Sequence, residues 1–252
     1  ELARASEVTK GVNPAVGAVI LDSEGNQIGE GWHRGPGTPH AEVMALAQAQ
    51  GRARGGTAVV TLEPCAHHGR TPPCVDALLA AGVHRVVFAQ ADPNPAAAGG
   101  AERLAAAGVD VLGGLLADEA QALNSTWTLA QQLSRPVVTW KVASTLDGRI
   151  AAADGSSRWI TAQEARSEVH ELRAEVDAVL TGTGTLLTDD PLLTARVPGL
   201  PAATQPIRAV MGMSAIPPDA AIHTPADGRV RQLSTRDPAM ALSQLWALDV
   251  RH

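Results

Sequence analysis

Short runs of β-branched residues alternate along this chain with alanine-rich stretches of helical character, and this alternation restricts the fold more than any other feature. Val16–Leu21, Gln27–Trp32, Thr57–Leu62 and Arg85–Gln90 read as strands. His40–Gln50, Val75–Ala81 and Ala101–Ala107 read as helices between them. Ser23-Glu24-Gly25-Asn26 supplies the turn of an opening hairpin. Strands interleaved with helices predict an α/β layered sheet. A longer polar helix over Asp118–Leu133 stops before Arg135-Pro136, because proline disfavours helix at the residue preceding it. A domain boundary therefore falls near residue 134, dividing the chain into 1–134 and 135–252. The second part repeats the alternation with a strand at Val137–Ala143, a helix at Ala162–Glu175 and strands at Ala178–Thr181, Ile207–Met211 and Val230–Ser234. A helix at Ala239–Leu248 closes the series. Gly199–Pro206, with two prolines, reads as a surface loop.

Composition narrows the function. The chain has 252 residues and a net charge of −6, so it has no overall positive field to collect a phosphate backbone. Aromatic residues make up 2%, too few for the stacking platforms of single-strand binders, and nucleic acid is not an expected partner. Apolar runs break well short of the roughly 20 residues that span a bilayer, so no membrane association is expected. Residues 1–10 lack the basic-then-apolar order of a secretory signal, and we expect a cytoplasmic protein. Self-association into a homo-oligomer is compatible with such a chain.

The two cysteines carry the sharpest chemical signal. His40-Ala41-Glu42 is followed, after a strand, by Glu63-Pro64-Cys65 and then by Pro73-Cys74. One imidazole and two thiolates form a three-ligand zinc set that leaves the fourth tetrahedral position open to water. His40 and Cys74 each follow a proline where a helix should begin, so two positive helix ends would face the metal. Glu42, near the ligand histidine without being a ligand itself, is the candidate general acid and base. The competing structural reading makes His40 a surface residue and the cysteines buried apolar side chains.

These residues resemble the cytidine-deaminase-like superfamily, whose H-x-E and P-C-x-x-C motifs bind zinc. Here the second cysteine follows the first by nine positions, with Ala66-His67-His68-Gly69-Arg70-Thr71-Pro72-Pro73 between. That insert, with Asn13-Pro14-Ala15-Val16-Gly17 and Asp92-Pro93-Asn94-Pro95, resembles the pyrimidine deaminases of riboflavin biosynthesis. The resemblance implies a zinc-dependent hydrolytic deamination of a diaminopyrimidinone carrying a ribosylamino phosphate. It places Asn13, His67, Arg70, Thr71, Asp92 and Asn94 around that small-molecule substrate, with Arg70 suited to the phosphate. Two rivals stand beside this reading. One is a cytosine or adenine deaminase acting on a nucleotide or tRNA, which the long insert and acidic charge oppose. The other is a noncatalytic zinc-stabilised scaffold, which would need a fourth protein ligand such as His67 or His68.

Lys141-Val142-Ala143-Ser144-Thr145-Leu146-Asp147-Gly148-Arg149 resembles the opening of the riboflavin-pathway reductases, relatives of dihydrofolate reductase. Ser157-Arg158-Trp159, His170-Glu171-Leu172-Arg173 and Gly182-Thr183-Gly184-Thr185 through Arg196 follow in the family's order. Taken alone, Gly182-Thr183-Gly184 is a small-residue turn without the third glycine and following helix of a dinucleotide fingerprint. The resemblance implies an NADPH-dependent reductase of the dihydrofolate-reductase-like α/β fold. Ala143, Trp159, Thr185 and Asp189 would line the cofactor site, and Lys141, Ser157, Arg173, Leu193 and Arg196 the sugar-phosphate substrate. Asp147 and Lys141 are candidate proton donors. The likeness stops at Val250, before the Glu-Gly-Gly-Pro turn that follows in the family, so this domain is expected to be C-terminally incomplete.

Overall fold

A computed structural model describes residues 1–5, 11–69, 71–196 and 205–252. The chain forms two compact units, Glu1–Ser134 and Arg135–His252.

The first unit is built on a five-stranded sheet. Its strands are β1 (Gly17–Leu21), β2 (Gln27–Trp32), β3 (Thr57–Leu62), β4 (Arg85–Gln90) and β5 (Asp110–Gly113), in the order β2-β1-β3-β4-β5. β1 runs antiparallel to β2 and β3, while β3, β4 and β5 are parallel. The opening hairpin turns where Asp22 Oδ1 accepts from the backbone N–H groups of Glu24 and Asn26, with Gly25 in the left-handed region. β4 is buried at five successive residues, as expected of a parallel strand covered on both faces. The helices are α1 (Ala41–Ala49), α2 (Cys74–Ala81), α3 (Gly100–Ala106), α4 (Ala117–Leu123) and α5 (Ser125–Leu133). Ala41, Ala45 and Ala49 of α1 join Ala18, Ile20, Val60 and Leu78 in one core.

α1 lies unusually close to β2. A Cβ built on Gly31 would sit 2.4 Å from the Ala41 carbonyl oxygen, and one on Gly29 would sit 2.1 Å from that of Ala45. Only glycine lets the helix backbone approach the strand this far, and this contact places the first turn of α1, where His40 and Glu42 stand.

The expected single helix over Asp118–Leu133 is two helices. Asn124 breaks it, leaving helical geometry at φ −110° and ψ 24°. Its buried amide accepts from Ala15 N at 2.8 Å and donates to Ala15 O at 3.0 Å. Trp127 Nε1 donates to Val12 O at 2.9 Å, so α5 grips the segment on both sides of Asn13.

The second unit has a parallel sheet of β6 (Ala178–Gly182), β7 (Ile207–Met211) and β8 (Val230–Leu233), in that order. α6 (Gln163–Glu175), α7 (Thr183–Asp189) and α8 (Pro238–Ala247) accompany it. Neighbouring residues of β7 point to opposite faces. Ala209 packs with Leu233, Ala241, Leu245 and Val250, whereas Val210 packs with Leu186, Leu193 and Ile222. Arg208 is fully buried and is held by Thr224 O, Pro225 O and the Asp227 carboxylate.

Two expectations for this unit are corrected. Val137–Ala143 is not a strand: Val137 N donates to Arg251 O, but no ladder continues among the described residues, and Trp140 is 84% exposed. The β-branched composition is present, but a strand also needs a neighbour to take its backbone groups. Conversely, Gly182-Thr183-Gly184 does lead into a helix, α7, which Leu186 anchors in the core. Most of the expected 199–206 loop lies outside the described residues.

Replacing Gly31 by alanine is expected to destabilise the protein by roughly 1–3 kcal/mol, the usual cost of overpacking, and to lower zinc retention by moving His40. Thermal denaturation and metal analysis check both outcomes.

Candidate active site

His40 is the N-cap of α1, and Cys74 is the first residue of α2. Cys65 comes from the loop after β3 and is buried like Cys74, and both are free thiols. The strand order brings the three together: one ligand atom from each lies within 4.8 Å of the others. His40 Nδ1 is 3.1 Å from Cys74 Sγ and 3.6 Å from Cys65 Sγ. Two sulfurs and a nitrogen around a tetrahedral zinc would be separated by about 3.5–3.8 Å, so these residues fit the metal. Among the described residues no further His, Cys, Asp or Glu joins the group. Nδ1 is the metal-facing nitrogen, because Nε2 is occupied by the Thr71 hydroxyl at 3.1 Å. A partner on the outer nitrogen fixes the tautomer and ring angle of a ligand histidine.

The electrostatics follow from burial and sulfur hydrogen bonding. Hydrogen bonds from the Cys74 thiol, from His40 and from the Cys74 backbone N–H (3.3 Å) draw the Cys65 thiol down to about 4. The same shared proton, together with burial, holds Cys74 up. His40 is raised by its bond to Cys65. Glu42 is 4% exposed, and burial lifts its carboxyl above the usual range. A buried carboxyl beside the thiols has the shifted acidity that a proton carrier requires.

The remaining expected deaminase residues that the structure describes lie in three segments, before β1, between β3 and α2, and between β4 and α3. Asp92 lies beside Glu63 and Cys65, and burial, with help from those charges, pushes its carboxyl up to about 6. Its Oδ1 accepts from Asn94 N at 2.9 Å. His67 Nδ1 is buried without a hydrogen-bond partner. Asn13 sits half-buried between the two anchors supplied by α5, and Arg70 lies outside the described residues. Thr71, expected at the substrate, has its hydroxyl on His40.

Two buried groups close to the His40, Cys65 and Cys74 cluster carry no motif that marks them in the sequence. His33 stands edge-on to His40 with ring centroids 5.6 Å apart. Glu63 is a buried carboxylate whose partners are backbone N–H groups. Backbone partners leave no sequence signature, so composition and spacing do not reveal this role.

In the second unit, Lys141, Arg173, Thr185 and Leu193 line a cavity of about 480 Å³. Leu193 packs into the core while its backbone takes a left-handed φ of 53°. Ser157 and Trp159 line another cavity, of about 860 Å³. Thr185 and Asp189 share an exposed face of α7, one turn apart. Ala143 lines neither cavity. Arg173 Nη1 and His170 both reach the Thr194 carbonyl, and Arg196 Nη2 lies 3.3 Å from His170 Nε2. His170, which lies in a family-like piece of sequence but carries no site role there, is lowered by burial and by the two arginines.

Known proteins match this arrangement along the whole chain. Residues 1–90 match the cytidine and deoxycytidylate deaminase zinc-binding region, and residues 136–243 match the RibD C-terminal domain. The fold and the metal pocket thus define a zinc-dependent deaminase domain followed by a reductase-type domain. The riboflavin biosynthesis protein RibD of Mycobacterium tuberculosis is 49% identical over 234 residues, covering 92% of this chain and 69% of the relative. The structure of Acinetobacter baumannii RibD superposes with a TM-score of 0.85 at 40% identity, covering 99% of this chain and 76% of that one. A Thermotoga maritima diaminohydroxyphosphoribosylaminopyrimidine deaminase/5-amino-6-(5-phosphoribosylamino)uracil reductase superposes at 0.78 with 34% identity, covering 99% and 76%. This chain belongs to the RibD family of riboflavin biosynthesis proteins.

Asp92→Asn gives a signed test of the flanking loop. The folded-state value of about 6 lies above the ordinary 3.8, so ionised Asp92 costs stability above about pH 6, and that cost vanishes as the pH falls below about 4. The asparagine variant is expected to be more stable at pH 8 by on the order of 2 kcal/mol. That gain should disappear at pH 4, while substrate affinity falls at both pH values. Urea denaturation at the two pH values and deaminase KM measure these effects.

Proposed function

We infer that this protein carries out two successive steps of riboflavin biosynthesis. The first is hydrolytic deamination of the diaminopyrimidinone ribosylamino phosphate, and the second is NADPH-dependent reduction of the ribosyl chain to ribityl. The observation that carries the reading is the buried Glu42 carboxyl beside the group of three metal-capable residues found among the described residues, His40, Cys65 and Cys74.

In the deaminase domain His40, Cys65 and Cys74 would hold zinc, which when bound lowers the pKa of a coordinated water toward neutrality. Glu42 takes the first proton of the attacking water and delivers it to the ring nitrogen, then carries the second, released as the new hydroxyl becomes a carbonyl, to the amino nitrogen that departs as ammonia. Asp92, Asn94, Asn13 and His67 orient the pyrimidine. The unpartnered His67 Nδ1 supports this, because a buried polar nitrogen without a protein partner is ready for a ligand atom. Arg70 remains our candidate for the phosphate. The scaffold alternative needs a fourth protein ligand, and the described residues supply none within the group.

In the reductase domain the cofactor, when bound, would be the source of hydride for C1 of the ribosyl chain. Gly182 and Gly184 support a cofactor approach at α7, because a Cβ on either would meet nothing within 4 Å. Thr185 and Asp189 would meet the cofactor there, together with Ala143 and Trp159. Lys141, Ser157, Arg173, Leu193 and Arg196 would meet the sugar phosphate. Arg173 and His170 meet at the Thr194 carbonyl and Arg196 lies against His170, an arrangement suited to a phosphate. Free thiols used as metal ligands suit a reducing compartment, and we place the protein in the cytoplasm.

The test offers the protein the diaminopyrimidine phosphate with and without NADPH and reads ammonia release and NADPH oxidation separately. Glu42→Gln is expected to keep zinc, lose ammonia release by at least about a hundredfold and leave reduction of supplied deaminated product unchanged. Ammonia release near the wild-type rate in this variant would remove Glu42 from the mechanism.

A further inference from the structure

We propose that Glu63 is a positioning residue for the deaminase substrate loop, tying the cysteine-bearing end of β3 to residues 91–99. The inference rests on the reading of Asp92 and Asn94 as substrate contacts.

Glu63 is 8% exposed and directly follows β3. Its Oε2 accepts from Asp92 N at 3.1 Å, while Oε1 accepts from Gly99 N at 3.2 Å and Ala101 N at 3.0 Å. Among the described residues no basic side chain forms an ion pair with it. A buried carboxylate is costly unless its charge is met, and here three backbone dipoles meet it, two of them at the start of α3.

The main chain reinforces the same junction. Glu63 N donates to Gln90 O at 2.8 Å, and Ala66 N donates to Ala97 O at 3.1 Å. A Cβ on Gly100 would fall 1.7 Å from the Pro64 carbonyl oxygen, so α3 begins directly against the residue after Glu63. The clamp then passes along the loop. Asp92, fixed through its N–H, accepts from Asn94 N at 2.9 Å, and Asn94 Oδ1 accepts from Ala96 N at 3.1 Å. One carboxylate therefore sets the backbone from which both substrate-facing side chains project.

The chemistry requires a carboxylate. Glutamine has the same shape but one acceptor oxygen, so its NH₂ group must face at least one of the three N–H donors. Glu63→Gln is therefore expected to raise the deaminase KM for the diaminopyrimidine phosphate by at least about tenfold, as misplaced contacts do, with kcat within about threefold of wild type and zinc content unchanged. An unchanged KM overturns the proposal. Loss of zinc or a fall in kcat alone also overturns it, since either would make Glu63 a support of the metal or of the proton carrier. Asp92→Asn keeps the backbone N–H and separates the two ideas. If it leaves KM unchanged, the substrate-loop reading fails. If it raises KM while Glu63→Gln does not, the clamp alone fails. Should Glu63→Gln not fold, hydrogen exchange on the wild-type protein decides. The Asp92, Gly99 and Ala101 amides should exchange slowly as a set, and exchange at exposed-loop rates overturns the proposal.

Discussion

The deaminase site depends on backbone packed against backbone. Gly29 and Gly31 leave no side-chain layer between β2 and α1, so Ala41 and Ala45 rest directly on the strand. A side chain in that gap could adjust through its rotamers, but two main chains in contact cannot. The first turn of α1 therefore has little freedom, and with it the imidazole of His40 and the carboxyl of Glu42. Metal coordination tolerates errors of only about 0.2 Å in ligand distance, so a rigid seat for the histidine is a condition of having the site. The cysteines come from the other side of the same sheet order, one after β3 and one at the start of α2.

Much of this was legible in the sequence, and the rest was hidden for physical reasons. The first four strands and the helices α1, α2 and α3 follow from periodicity, which is a local property. β5 was passed over because its four residues carry only two apolar side chains besides glycine. The 118–133 periodicity correctly marks helix, but the break at Asn124 exists because its amide bonds to Ala15, 109 positions away. Val137–Ala143 has the composition of a strand, yet composition does not supply a neighbour. Gly182-Thr183-Gly184 reads as a turn because glycine is a poor helix former, and the burial of Leu186 overrides that preference. The metal group was readable because residue identity carries its chemistry. Glu63 was not, since a carboxylate clamped by amides looks like any other glutamate beside a proline.

The two units divide the chemistry by electrostatic design. The first gathers sulfur and carboxyl groups whose acidities are moved by burial and shared protons. The second gathers His170 and Arg173 at the Thr194 carbonyl, with Arg196 against His170, a cluster of two arginines with no acidic residue bonded into it among the described residues. A product that keeps its phosphate while losing an amino group suits such an order. Under the proposed function the deaminase alters the heterocycle, and the charged tail would remain available to the second domain.

The pair of hydrogen bonds between Asn124 and Ala15, with Trp127 on Val12, also bears on engineering. Residues 12–15 look like a portable loop, a short segment before the first strand that could be exchanged to retune substrate preference. Their conformation is dictated from α5, on the far side of the domain in sequence. A graft from another deaminase would bring the letters without the scaffold that shapes them. The transferable unit is discontinuous, and recombination within this family preserves it only when residues 12–15 and 124–127 come from the same parent.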